Sequence, residues 1–108
     1  MQLNQHQQWL INFYQQRDWY KLSPFIRLNF ISEEVGELSR AVRAIEIGRD
    51  HPGEKKQTPS QLTDNLMEEM ADTLDQVIVL SSLYGIKAED LIKYSEQKLK
   101  RRFENELQ

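Results

Sequence analysis

The chain has 108 residues, no cysteine and a formal net charge of −3, with an isoelectric point near 5.4. That length fits a single domain, residues 1–108, with one modest core. Disulfides and thiolate zinc sites are excluded, and the net acidity argues against a general nucleic-acid binder.

The start, Met1 to Gln8, has neither the basic nor the apolar segment of a secretory signal. Leu3, Trp9, Leu10, Phe13 and Tyr14 give a ragged apolar stripe, which predicts a first helix from about Leu3 to Trp19. Ser23-Pro24 reads as an N-cap followed by proline at the first helical position. The second helix is expected from Pro24 to about Ile47, ended by Gly48. Residues 49–59 form a polar loop carrying two of the three prolines.

Thr58 or Ser60 can cap a third helix that runs to Tyr84 and stops at Gly85. Its first half is amphipathic through Leu62, Leu66, Met70 and Leu74. Its second half, Val77 to Leu80 with Leu83 and Tyr84, is apolar nearly all round, and such a helix must be covered on every side. Four helices of one short chain give too little cover, which predicts a homo-oligomer built on this helix. A fourth helix is expected over roughly Ala88 to Leu107. No strand alternation occurs, so the fold class is all-α. The longest apolar run is too short to span a bilayer, so the expectation is a cytoplasmic protein with no membrane partner.

Two acidic clusters stand out: Glu33-Glu34-Val35-Gly36-Glu37 and Glu68-Glu69-Met70-Ala71-Asp72. Residues three apart on a helix share a face, so Glu34 pairs with Glu37 and Glu69 with Asp72. Helical phase sets Glu34 among Ile31, Leu38 and Ala41, and Asp72 near Val79 and Leu83, beside Glu69. Carboxylates on the core side need cations or hydrogen bonds. Their helices offer little help. Glu33 and Glu37 repel at a cost of roughly 0.2–0.5 kcal/mol, only Arg40 can relieve Glu37, and the third helix has no lysine or arginine. Gly36 inside the acidic turn costs about 1 kcal/mol against alanine, which suggests close approach of a backbone or a ligand. An oxygen-only ligand set suits Mg²⁺, with Mn²⁺ as its usual substitute.

In chain order these clusters, Val77 to Leu83 with Tyr84-Gly85-Ile86, and Lys98-Leu99-Lys100-Arg101-Arg102-Phe103 resemble the all-α nucleoside triphosphate pyrophosphohydrolases of the MazG type. Arg17-Asp18-Trp19 with Ser23-Pro24 is similar to the dCTP pyrophosphatase branch. The resemblance implies a four-helix fold, its bundle completed by oligomerisation as a tetramer or a dimer. It also implies cleavage of a nucleoside triphosphate between its α and β phosphates. Glu34, Glu37, Glu69 and Asp72 would then hold metal, and Glu33 would be a candidate base. Lys98 and Arg102, four apart on one face, would grip the phosphates, while Arg101 points elsewhere. Trp19 and then Tyr20 and Trp9 are the candidates for stacking on the nucleobase.

Three departures accompany the resemblance. The gap between the acidic motifs is slightly long, Asp75 stands where an apolar residue is expected, and a histidine sought near residue 22 is absent. His6 and His51 receive no role. A di-iron bundle would need Glu-x-x-His on two helices, which is missing. A non-catalytic regulator of the same fold would have no use for costly unpaired acids at Glu34, Glu37, Glu69 and Asp72.

Overall fold

The computed structural model describes residues 2–48, 52–53 and 55–104, and these hold four helices and no strand. They are α1 (Leu3–Gln16), α2 (Pro24–Glu46), α3 (Pro59–Leu83) and α4 (Ala88–Arg102). The fourth helix was expected to reach Leu107 but ends at Arg102 with Phe103 as its C-cap; Leu107 itself, and His51 in the loop, lie outside the described residues. The chain divides into two compact units, one of Met1–Lys21 with Ile78–Gln108 and one of Leu22–Val77. Helix α3 contributes to both.

The first unit contains the apolar core. Leu10, Ile78, Val79 and Ala88 are buried together, with Leu3, Tyr14 and Tyr20 packed against them. Its organising residue is Gln7, which is buried on α1. The Gln7 amide nitrogen lies 3.1 Å from the Ile78 carbonyl, 3.0 Å from Ser81 Oγ and 3.0 Å from the Ile86 carbonyl. Its oxygen accepts from the Ala88 N–H at 3.0 Å. Three residues earlier, Asn4 accepts from the Glu89 N–H and donates to the Glu89 carboxylate, both at 3.0 Å. The N-cap of α4 is Lys87, which supplies no side-chain cap. Two amides from α1 therefore satisfy N–H groups that the start of α4 would otherwise leave orphaned.

The sequence expectation carried α1 to Trp19, but the helix ends at Gln16. Asp18 adopts a left-handed φ of 62°, Asp18 N–H bonds the Gln15 carbonyl and Trp19 N–H bonds the Tyr14 carbonyl. This is a Schellman closure, with the Tyr14 and Trp19 rings meeting edge to face at 5.7 Å. An apolar stripe cannot reveal a stop made by an aspartate in the place glycine usually takes. Gly85, φ 71°, closes α3 in the same way through Ile86 N–H to the Ser81 carbonyl.

The second unit is built differently. Ser23 Oγ accepts from Ile26 N–H ahead of Pro24, which starts α2 as expected. Thr58 caps α3 reciprocally: its Oγ1 accepts from Gln61 N–H at 3.2 Å and its own N–H donates to Gln61 Oε1 at 3.0 Å. Among its described residues only Arg27 and Ala41 are buried. The apolar second half of α3 is covered only in part by the single chain. Ile78 and Val79 are buried within the first unit, whereas Val77 and Tyr84 are 40% and 64% exposed.

The Gln7 node gives a direct test. Gln7→Ala strands several buried partners and is expected to lower the unfolding free energy by about 2–3 kcal/mol in urea titration. Gln8→Ala, on the exposed side of α1, should change it by less than about 0.5 kcal/mol. Equal midpoints for the two variants would remove Gln7 from its organising role.

Candidate metal centre

Within the second unit, α2 and α3 run antiparallel. Ala44 and Ile45 of α2 share a pocket with Leu62 of α3, while Glu34 and Glu37 meet Glu69. Numbers falling along one helix as they rise along the other place the two acidic turns opposite each other. One carboxylate oxygen each from Glu34, Glu37 and Glu69 lie within 4.8 Å of one another, close enough to share a cation. Among the described residues this is the group with that property.

Glu34 and Glu69 are half-buried and Glu37 is exposed. Glu34 Oε2 and Glu69 Oε2 are each shielded from solvent without a hydrogen-bond partner. Burial pushes the Glu69 carboxyl up to about 7, helped by a hydrogen bond to Glu37 and by the charges of Glu37, Asp72 and Glu34. Burial also raises the Glu34 carboxyl, followed by repulsion from Glu37, Asp72 and Glu33. Asp72 is raised by burial, then by Glu68, Asp75 and Glu37. Every resolved shift on these acids has the same sign. Two shielded carboxylate oxygens without partners, in a set of oxygen donors only, fit a hard divalent cation.

The structure therefore gathers Glu34, Glu37 and Glu69, with Asp72 within electrostatic reach but outside the three-oxygen group. Glu33 is exposed at the rim and adds its charge to that felt by Glu34. A Cβ at Gly36 would meet nothing within 4 Å, so among the described residues no backbone requires the glycine, and of the two expected neighbours a ligand is the one left. Arg27, only 1% exposed on α2, went unremarked in the sequence because a single arginine in an amphipathic helix gives no sign of burial.

The basic and aromatic candidates belong to the first unit. Lys98 and Arg102 line one shallow pocket together with Tyr94 and Arg101. Arg101 was expected to point elsewhere, but it lies three residues from Lys98, a spacing that also makes helix neighbours. Tyr94, four before Lys98, carried the same legible spacing and was missed. Trp19 is 48% exposed, its ring edge-on to Phe13 at 6.3 Å. Trp9 stacks on Phe13 at 5.3 Å, and the Arg17 guanidinium covers the Phe13 ring at 3.4 Å. Tyr20 is engaged internally, its hydroxyl 2.9 Å from Ser82 Oγ.

The MazG nucleotide pyrophosphohydrolase domain matches residues 25–106, a span that includes both acidic turns and the basic end of α4. The chain belongs to that family. It is also 45% identical over 105 residues to the uncharacterised Bacillus subtilis (strain 168) protein YvdC, covering 97% of this chain and 99% of that protein. No solved structure matches it significantly. MazG-type enzymes act on nucleotide phosphoanhydride bonds and depend on a divalent metal. In this MazG-type chain no helix is long and apolar enough to cross a membrane among the described residues.

The shifted carboxyls set a pH dependence. Glu69 holds its proton up to about 7 in the folded chain against 4.5 ordinarily, so the folded state binds more protons than the unfolded state between those values. That contribution to stability is fully present below about 4.5 and is lost as pH rises through about 7. Glu34 and Asp72 act in the same direction. Metal-free protein should melt at a higher temperature at pH 5 than at pH 8, and Mg²⁺ should raise the melting temperature far more at pH 8. A metal-free melting temperature independent of pH, with no Mg²⁺ effect, would contradict this electrostatic account.

Proposed function

We propose that the protein is a Mg²⁺-dependent nucleoside triphosphate pyrophosphohydrolase that cleaves a (d)NTP between the α and β phosphates, giving a (d)NMP and pyrophosphate. The observation that carries the reading is the meeting of Glu34, Glu37 and Glu69, with two shielded, partnerless oxygens, inside the span that matches the family.

Glu34, Glu37, Glu69 and Asp72 would hold the cation, with Mn²⁺ able to substitute. Mg²⁺ bound there supplies charge neutralisation of the triphosphate and polarisation of the α-phosphoryl group. Glu33, exposed at the rim, takes the proton of the attacking water as its oxygen bonds to the α phosphorus and the pyrophosphate oxygen leaves. Lys98 and Arg102 neutralise the charge that builds on the departing phosphates. The half-exposed Trp19 offers a face on which a nucleobase stacks, with Tyr20 beside it in sequence. The role is housekeeping of the nucleotide pool by a cytoplasmic, single-domain chain that works as a homo-oligomer, a tetramer being favoured over a dimer. Neither nucleic acid nor membrane is a partner.

The test is a panel of NTPs and dNTPs with Mg²⁺, assayed for pyrophosphate and monophosphate. Turnover of at least one with stoichiometric pyrophosphate is expected, whereas release of orthophosphate would overturn cleavage between α and β. Glu37→Gln and Asp72→Asn should each lower kcat by about 10²-fold or more with helicity unchanged by circular dichroism. Wild-type turnover in either would remove that residue from the ligand set.

A further inference from the structure

Besides its acids, the second unit has a pocket of about 230 Å³ at the turn end of the hairpin, where α2 stops and α3 begins. The floor is apolar, made by Ala44 and Ile45 of α2 and Leu62 of α3. The rim is polar, with Lys55, Lys56 and Gln57 in the segment that leads to the Thr58 cap. All of these residues lie within the one unit, Leu22–Val77. Ala44 is seven residues from Glu37, and Leu62 is seven from Glu69. Two helical turns, about 10.5 Å, therefore separate the pocket from the carboxylates on each helix.

Charge, floor and size together define what fits. Among the described residues neither lysine has a carboxylate partner. The turn as a whole, residues 49–57, sets Arg49, Lys55 and Lys56 against Asp50 and Glu54. Two adjacent ammoniums repel each other and are relieved together by a dianion, and a phosphate monoester carries about −1.5 to −2 near neutral pH. The pocket also sits at the start of α3, where the dipole of a 25-residue helix has its positive end. Beneath the lysines the floor is open, with Ile45 40% exposed. An inorganic anion leaves that apolar surface in water, whereas an apolar or aromatic body covers it. The volume falls below the roughly 300–1,000 Å³ of drug-sized pockets, which restricts the occupant to a small molecule.

We propose that this pocket binds a phosphate monoester with an apolar or aromatic body, the class that includes nucleoside monophosphates, with no cation required. Lys55 and Lys56 hold the phosphate, Ala44, Ile45 and Leu62 lie beneath the body, and the Gln57 amide meets its polar edge with a donor and an acceptor. A ligand there ties the end of α2 to the start of α3 and so stabilises a unit with little of its own to bury. The nucleotide released by the proposed reaction belongs to the same class, but the site rests on the pocket's own chemistry and not on the hydrolase reading.

Isothermal titration of the full-length protein in EDTA tests this, with phenyl phosphate and a panel of (d)NMPs as probes. At least one monoester should bind roughly tenfold or more tightly than inorganic phosphate and than its own dephosphorylated form. Lys55→Ala with Lys56→Ala should weaken that binding by roughly tenfold or more. Ala44→Phe, which fills the floor, should weaken it with both lysines in place. Glu34→Gln with Glu69→Gln should leave it unchanged, and circular dichroism checks that every variant keeps its helicity. Failure of every monoester to bind overturns the proposal, as does binding that survives both pocket variants. Loss in Lys98→Ala with Arg102→Ala, with the Lys55 and Lys56 variant unaffected, overturns it by placing the anion on α4. Binding that appears only when Mg²⁺ replaces EDTA overturns it by placing the anion at the acids. No turnover is measured, so each of these failures leaves the hydrolase reading standing.

Discussion

Three carboxylate oxygens held within 4.8 Å of one another are the constraint on which the arrangement depends. Unit charges that close repel by several kcal/mol at the dielectric of a partly covered site. Without a cation the site relieves this by protonation: burial first, and then the neighbouring carboxyls, push the Glu69 carboxyl up to about 7. Near neutral pH the site is thus poised to exchange a proton for a divalent ion. The antiparallel hairpin of α2 and α3 holds that conflict in place, because each helix presents its acids one turn apart and the register sets the two turns face to face.

The hairpin divides its surface by chemistry. Leu28, Val35, Met67, Met70 and Leu74 are exposed, while Ala41 is buried and Glu34 and Glu69 are half-buried. The first unit solves its packing within the chain, since Gln7 and Asn4 tie α1 to the start of α4 and Leu10 packs with Ile78 and Val79. The second unit has a cap at each helix start but little of its own to bury. Such a unit gains stability from what binds it, and a cation at the acids would do so.

Much of this was legible in the sequence. Pro24 after Ser23, Gly48 and Gly85 fixed the helix boundaries to within a residue or so, because capping chemistry is local. The convergence of Glu34, Glu37 and Glu69 followed from spacing and phase. What escaped was nonlocal. Gln7 is one glutamine among several on α1 until α4 is placed beside it, and Asp18 gives no sign of its left-handed φ until Trp19 closes back on Tyr14. Nor does a sequence show that Leu10 of α1 packs on Ile78 and Val79 within one chain.

On the proposed reading the acidic turns bind a divalent cation. Electron paramagnetic resonance of Mn²⁺ titrated with metal-free protein at pH 8 tests it most directly, because the free-ion signal falls on binding. Stoichiometric loss of that signal is expected with the wild-type protein, and its recovery in Glu34→Gln with Glu69→Gln, at unchanged helicity. A signal unaffected by wild-type protein, or lost equally with the double variant, would contradict it.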